Sequence, residues 1–373
     1  MRVTFLLPCY PVAPTGGFRA VYEYANHLVS RGHEVAVVHA RATRHTPQSK
    51  ASGMIDLARR AKKRLAEFVR EPAIDWQWID HRVRLLFVPD DDPRSLPDGD
   101  AVFATSWQTV SCILEAAFEK GAKCYLLQHY ETWEAPKEVI DATWRTPLHK
   151  VAIARWLVDI GKGLGCREVT YIPYGMDHAR YTLSSPIENR ACRVAMMFSH
   201  MSFKRSADGI AAMELARSRH PELTAILFGT PRRPNELADW IEYHQNPPQD
   251  FIVGNIYNGS SIFVCPSLSE GFFLPGAEAA CCGCAVVSTD NGGTREYIEH
   301  GVTGLLSPPG NPEALARNIC RLLEDEPLRR SLAAACNAYV SRLSWVESSL
   351  HLEQFIVNAV NRRDVPERRP QPA

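Results

Sequence analysis

Short apolar runs alternate with stretches of helical spacing along the whole chain. Val3 to Pro8 is the first run. A Pro/Gly loop through Gly17 follows it, and Phe18 to Ser30 then repeats apolar positions at helical intervals. Further runs lie at Glu34 to His39, Val83 to Pro89, Ala101 to Thr105, Lys123 to Gln128 and Val169 to Pro173. The rhythm restarts at Arg193 to Phe198 and continues through Leu223 to Gly229, Ile262 to Pro266 and Ala285 to Ser288. Strands separated by helices imply parallel sheets covered on both faces, so the fold class is α/β with two doubly wound, Rossmann-like domains. Tyr174 to Arg190 holds turn formers without periodicity and marks the boundary. The domains are expected at 1–175 and 193–344, with a linker at 176–192. A last helix, Trp345 to Val360, follows the second domain, and the Pro/Arg-rich tail 362–373 is expected to be disordered.

Size and composition agree with that division. A chain of 373 residues is too long for one ordinary core. Lys+Arg and Asp+Glu balance at 42 each, which gives the molecule no overall attraction to nucleic acid. The 11 cysteines show no paired framework, and Met1 to Pro8 lacks the features of a signal peptide, so a reducing cytoplasm is expected. Nothing approaches the roughly 18 apolar residues that a membrane span needs. Cys281, Cys282 and Cys284 lie in an Ala-rich segment without a second ligand pair, and read as small core thiols.

Ligands of open parallel sheets collect beyond the carboxyl ends of the strands, and two such domains facing one another would enclose a cleft. The most informative loop is there: Pro266 to Tyr297, PSLSEGFFLPGAEAACCGCAVVSTDNGGTREY. Glu270 falls in a Gly-rich loop after a strand, where a carboxylate can meet ligand hydroxyls. Glu278, eight positions on, falls inside a helix opening near Pro275. Between them, the N–H groups of Phe273, Leu274 and the first helical turn offer an anion such as a diphosphate the positive end of a helix dipole.

This segment, with its Gly292-Gly293-Thr294-Arg295-Glu296 run, resembles glycosyltransferase family 4. In that family two glutamates form an E-x7-E motif within a GT-B fold of two Rossmann-like domains facing a cleft. The resemblance implies a retaining enzyme with a nucleotide diphosphate sugar as donor, no cofactor and no metal. It implies that Glu270 contacts the transferred sugar near its reacting carbon and that Glu278 binds the ribose hydroxyls. Gly271, Phe272, Phe273 and Leu274 would border the donor. Gly16 and Gly17 match paired glycines that the family places before its first helix, where bare backbone can approach the donor's phosphates or the acceptor, and they are counted with the donor-binding residues. His129, after the strand KCYLLQ, matches a cleft-facing histidine that could bond a sugar hydroxyl or stabilise charge. In FSHMSFKRS, Lys204 matches a lysine that grips the diphosphate, while His200 stands where an arginine is expected and Arg205 follows the lysine. IPYGMD, Ile172 to Asp177, resembles the end of the family's first domain, and the helix at 345–361 resembles the element that crosses back to complete it. QHYETW with Trp107 resembles rhamnosyltransferase members, which adds dTDP-rhamnose to the candidate donors. The acceptor would be a glycan or a lipid-linked sugar in surface polysaccharide or glycoconjugate synthesis.

One segment points to a membrane surface. Ile55 to Arg70 carries Arg59, Arg60, Lys62, Lys63, Arg64 and Arg70 beside apolar residues at helical spacing, as a cationic amphipathic helix on anionic lipid would. An ordinary solvated helix face has the same pattern. Other chemistries lack their motifs: there is no G-x-x-x-x-G-K-[ST], and Gly161, Gly163 and Gly165 do not complete G-x-G-x-x-G and read as a helix end. No H-E-x-x-H or Asp-x-Asp pair suggests a metal. The alternatives are a nucleotide-sugar hydrolase or epimerase of the same fold, and a non-catalytic sugar-binding subunit.

Overall fold

The computed structural model describes residues 1–45 and 74–363. The proposed cationic helix at 55–70 lies outside the described residues, as does the tail from 364; Arg362 and Arg363 close the last helix. The chain divides into two compact units. The first holds Met1–Ile153, Leu157–Ile172 and the chain from Ser349 onward; the second holds Ala154–Trp156 and Pro173–Ser348.

In the first unit β1 (Arg2–Leu7), β2 (Glu34–Ala40), β3 (Arg84–Val88), β4 (Ala101–Ala104), β5 (Ala122–Leu127), β6 (His149–Ala152) and β7 (Val169–Tyr171) form one sheet. Their order is β3-β2-β1-β4-β5-β6-β7. Every pairing is parallel. The near-continuous apolar runs of β1 and β4 are what burial on both faces requires: Val3 to Leu7 and Ala101 to Ala104 are buried, and Phe5 stacks on Phe103 at 4.9 Å. Strand β6 carries no run in the sequence. Its four residues, HKVA, include Lys150, which buries its stem and turns its ammonium back to Leu148 O at 3.0 Å. The helix Gly16–Ser30 opens at the glycine pair itself, two residues before the apolar periodicity begins.

In the second unit β8 (Arg193–Met197), β9 (Thr224–Gly229), β10 (Ile241–Gln245), β11 (Ile262–Cys265), β12 (Ala285–Thr289) and β13 (Leu305–Ser307) form a second sheet. Its order is β10-β9-β8-β11-β12-β13, again parallel throughout. Strands β10 and β13 escaped the sequence reading because an edge strand needs no two-sided apolar run, and IEYHQ is half polar. Val194, Met196, Leu227, Val264 and Val287 join Met213, Leu315 and Ile319 from the covering helices in one core.

The turn-rich stretch at the boundary packs into the second unit. Tyr174, Met176 and Tyr181 are buried. The buried Arg190 guanidinium donates to Tyr257 O at 3.1 Å, Ser260 O at 3.0 Å, Ser185 O at 2.9 Å and Cys282 O. Carbonyls of an irregular segment must find donors, and one arginine fork supplies several. Gly161 and Gly163 close the helix Arg155–Gly163, and Gly165 follows it at φ +76°, as a helix end demands. Among the described residues no helix is long and apolar enough to cross a membrane.

Candidate active site

In the second sheet the strand order reverses between β8 and β11, so the loops that follow these two strands open side by side. The loop after β8 carries Lys204 and the loop after β11 carries Glu270. They meet: the Lys204 ammonium lies 2.8 Å from each carboxylate oxygen of Glu270. Ser267 Oγ donates to Glu270 Oε1 at 2.6 Å. Glu270 is 4% exposed. Its charge is tolerated there because a cation and a hydroxyl take up its oxygens. Ser267 was not expected from the sequence as a partner, although PSLSE holds it three positions before the glutamate.

Glu278 sits on the helix Leu274–Cys281, as its spacing from Pro275 predicts. Its carboxylate is also buried, and Tyr257 Oη donates to Oε2 at 3.0 Å. Tyr257 ends a π-helical stretch, Ile252–Tyr257, an uncommon backbone that no residue pattern announces. Burial, reinforced by the Glu278 charge, holds its phenol well above the ordinary tyrosine range, so it stays a donor at every physiological pH.

The helix has no side-chain N-cap. Its cap residue, Phe273, adopts φ 66° and ψ 67°. That left-handed conformation costs a bulky L-residue about 1–2 kcal/mol. Tyr297 Oη holds the Phe273 carbonyl at 3.0 Å, and Gly276 leaves room for the ring, since a Cβ there would lie 2.8 Å from Cδ1. Phe272 is buried between Tyr174 and Tyr297, with centroids at 5.5 and 5.7 Å. Gly271 and Leu274 are buried as well.

The Gly-Gly turn braces the Glu270 loop. Glu270 N–H donates to Asn291 O at 3.0 Å, and Glu270 bridges Gly292. A Cβ on Gly293 would come within 2.5 Å of Glu270 O. Gly292, at φ +86°, lies under the Trp156 ring, whose Nε1 donates to Gly271 O at 3.2 Å. Beside it, Arg155 N–H donates to the buried Glu296 at 2.6 Å and its guanidinium pairs with the other oxygen at 3.2 Å. Trp156 and Arg155 were legible only as members of a helix; nothing in their spacing tied them to a loop more than 100 positions away.

Two expected cations do not join this group. Arg205, in a left-handed conformation at the start of helix Ser206–Arg219, grips Asp208 through two 2.8 Å hydrogen bonds. His200 is exposed, its ring edge-on to Phe198 at 5.3 Å. Cys281, Cys282 and Cys284 are buried free thiols, and burial pushes those of Cys281 and Cys284 up to about 12.

Gly16, Gly17 and His129 belong to the first unit. Gly17 packs against Gln128, where a Cβ would meet Oε1 at 3.1 Å. His129 follows β5, accepts the Tyr130 N–H on Nδ1 at 2.8 Å and meets the Trp133 ring edge-on at 4.3 Å. Nearby, Glu131 accepts Trp107 N–H at 3.0 Å, and Trp107 Nε1 donates to Glu134 at 3.1 Å. Burial, opposed by the Trp107 N–H and reinforced by Glu134, pushes the Glu131 carboxyl up to about 8.

This arrangement of Lys204, Glu270 and Glu278 lies inside a segment with known relatives. Residues 202–337 match the family model of group 1 glycosyl transferases. The chain is 28% identical over 166 residues to a D-inositol 3-phosphate glycosyltransferase of Thermobispora bispora, covering 43% of this chain and 35% of that protein. It is 26% identical over 220 residues to a glycogen synthase of Mycobacterium tuberculosis, covering 56% of this chain and 52% of that protein. The chain thus spans about half or less of the curated relatives it matches. Among solved structures it is similar to Anabaena HepE in complex with UDP-glucose, at TM-score 0.70 and 18% identity over 96% of this chain and 100% of that one. Sucrose-phosphate synthase of Thermosynechococcus elongatus gives TM-score 0.69 and 14% identity over 97% and 99%. The fold is that of the GT-B proteins: two α/β units, each built on a parallel sheet.

Proposed function

We propose that the chain is a retaining glycosyltransferase of family 4 type. It would move a sugar from a nucleoside diphosphate donor to a glycan or lipid-linked acceptor, in surface polysaccharide or glycoconjugate synthesis. The observation that carries this reading is the placing of two buried carboxylates, Glu270 and Glu278, with the Lys204 ammonium around one uncapped helix N-terminus. A nucleoside diphosphate sugar offers matching groups: ribose hydroxyls for Glu278, phosphates for Lys204 and the helix N–H groups, and sugar hydroxyls for Glu270.

In this mechanism positive charge must meet the departing diphosphate, and Lys204 with the helix dipole supplies it. A leaving phosphate oxygen takes the acceptor proton on the face the acceptor attacks, so the anomeric configuration is retained. Glu270 stabilises the oxocarbenium-like state without becoming covalently attached. His129, on the first unit, would bond a sugar hydroxyl or stabilise charge, and Gly16 and Gly17 would border the donor's phosphates or the acceptor. UDP-glucose is the first donor to try, since it is the ligand named for the Anabaena relative; dTDP-rhamnose is the second.

A second reading, a non-catalytic sugar-binding subunit, is favoured by His200, which stands exposed where the resemblance expects an arginine. A panel of UDP-, GDP-, dTDP- and ADP-sugars, tested with EDTA present, separates the two. Slow cleavage of one donor with release of the nucleoside diphosphate supports the enzyme. Binding of a donor without cleavage, with or without candidate acceptors, supports the subunit.

A further inference from the structure

Phe273 stands in a left-handed conformation that glycine adopts freely, at φ 66°. Three contacts hold it there. Its carbonyl is tied to Tyr297 Oη at 3.0 Å, its ring leans on Phe263 with centroids at 6.2 Å, and Gly276 makes the space for it. A fold that spends contacts to keep an aromatic ring where glycine would be unstrained is using the ring.

The ring faces Lys204. The ammonium lies 5.6 Å from the Phe273 centroid and 5.3 Å from that of Phe203, while both oxygens of Glu270 hold it at 2.8 Å. Two negative π faces and one carboxylate therefore surround a cation whose side chain is 18% exposed. A free lysine side chain explores many rotamers; this one is confined at its charged end.

We propose that Phe273 is a positioning residue: with Phe203 it cages the Lys204 ammonium and fixes it at the helix N-terminus. The cage rests on the geometry around Lys204 alone, whereas its purpose, presenting a fixed cation to a diphosphate, rests on the function proposed above. Leu at either position keeps the apolar bulk and loses the π face; Tyr at 273 keeps both.

Pulse acetylation of the full-length chain with acetic anhydride, read by mass spectrometry, reports the Lys204 environment without any ligand. Lys162, whose side chain is 71% exposed, is the internal reference. The Lys204/Lys162 reactivity ratio should rise about two- to fivefold in Phe273→Leu and in Phe203→Leu, and stay at the wild-type value in Phe273→Tyr. Phe203→Leu provides an independent reading should Phe273→Leu fail to fold. Unchanged Lys204 reactivity in a folded Leu variant, or equal unmasking by Phe273→Tyr and Phe273→Leu, overturns the cage. The purpose is read by adding UDP or inorganic pyrophosphate. Either should protect Lys204 further in wild type and Phe273→Tyr, at concentrations severalfold lower than in Phe273→Leu. If the Leu variants unmask Lys204 but neither probe changes its reactivity in any protein, the cage stands and the diphosphate role fails.

Discussion

Removing one oxygen from Tyr257 tests how Glu278 is held. Tyr257→Phe keeps a ring that packs edge-on against Phe228 and Phe263, at 5.9 and 5.5 Å, and deletes the hydroxyl that donates to Glu278 Oε2 at 3.0 Å. Both residues are buried, so little water can take the hydroxyl's place. A hydrogen bond to a charged acceptor contributes about 1.5–3 kcal/mol. A stability decrease of about 2 kcal/mol follows, seen as a fall of several degrees in the transition that reports the second unit. Loss of this hydrogen bond from Glu278 should also weaken nucleotide binding at the proposed site. A loss of about 1.4 kcal/mol is tenfold in Kd. The assay is a titration of UDP and of its 2′,3′-dideoxy analogue against wild type, Tyr257→Phe and Glu278→Ala. Tyr257→Phe should weaken UDP about tenfold and the dideoxy compound hardly at all, because in the proposed site the carboxylate that Tyr257 holds, Glu278, binds the ribose hydroxyls. Equal weakening of both compounds, or no change in either stability or affinity, refutes the reasoning.

The other predictions follow from single geometries. Gly293→Ala places a methyl 2.5 Å from Glu270 O, so the Glu270 loop must shift; turnover should fall at least tenfold while the stability of the first unit is unaffected. Arg190→Met removes donors from several buried carbonyls, and should lower stability by about 3–4 kcal/mol, measured by urea unfolding of the full chain. His39 is wholly buried, stacks on Phe87 at 5.0 Å, and burial lowers its pKa to about 4 from 6.5. The unfolded chain then binds a proton below about pH 6.5 that the folded chain refuses until about pH 4, so stability falls as the pH drops through that window, by about 3 kcal/mol in all. His39→Phe should flatten this acid limb; an unchanged slope between pH 6.5 and 4 in the unfolding free energy contradicts it.

The parallel sheets were legible because strands buried on both faces cannot hide their composition: FLL in β1 and IFVC in β11 are apolar without interruption. The edge strand β10 carries no such signature: IEYHQ is half polar and did not register as a strand. At the site, Glu270 and Glu278 were legible because both fall in one local loop-helix pattern. Tyr257, Trp156 and Arg155 were not, since each reaches the site through a fold-level juxtaposition and reads on its own as an ordinary core or helix residue. Arg205 shows the converse. Its charge and position suggested a phosphate contact, and the fold also pairs it with Asp208, three residues on.

The most direct test of the account is to measure kcat and donor KM for wild type, Glu270→Gln and Glu278→Ala on the donor that the panel identifies. The proposed roles predict a split. Glu278→Ala should raise KM tenfold or more with a smaller change in kcat, and Glu270→Gln should lower kcat a hundredfold or more while the donor still binds. Wild-type kinetics in either variant would contradict the assignment of the donor site.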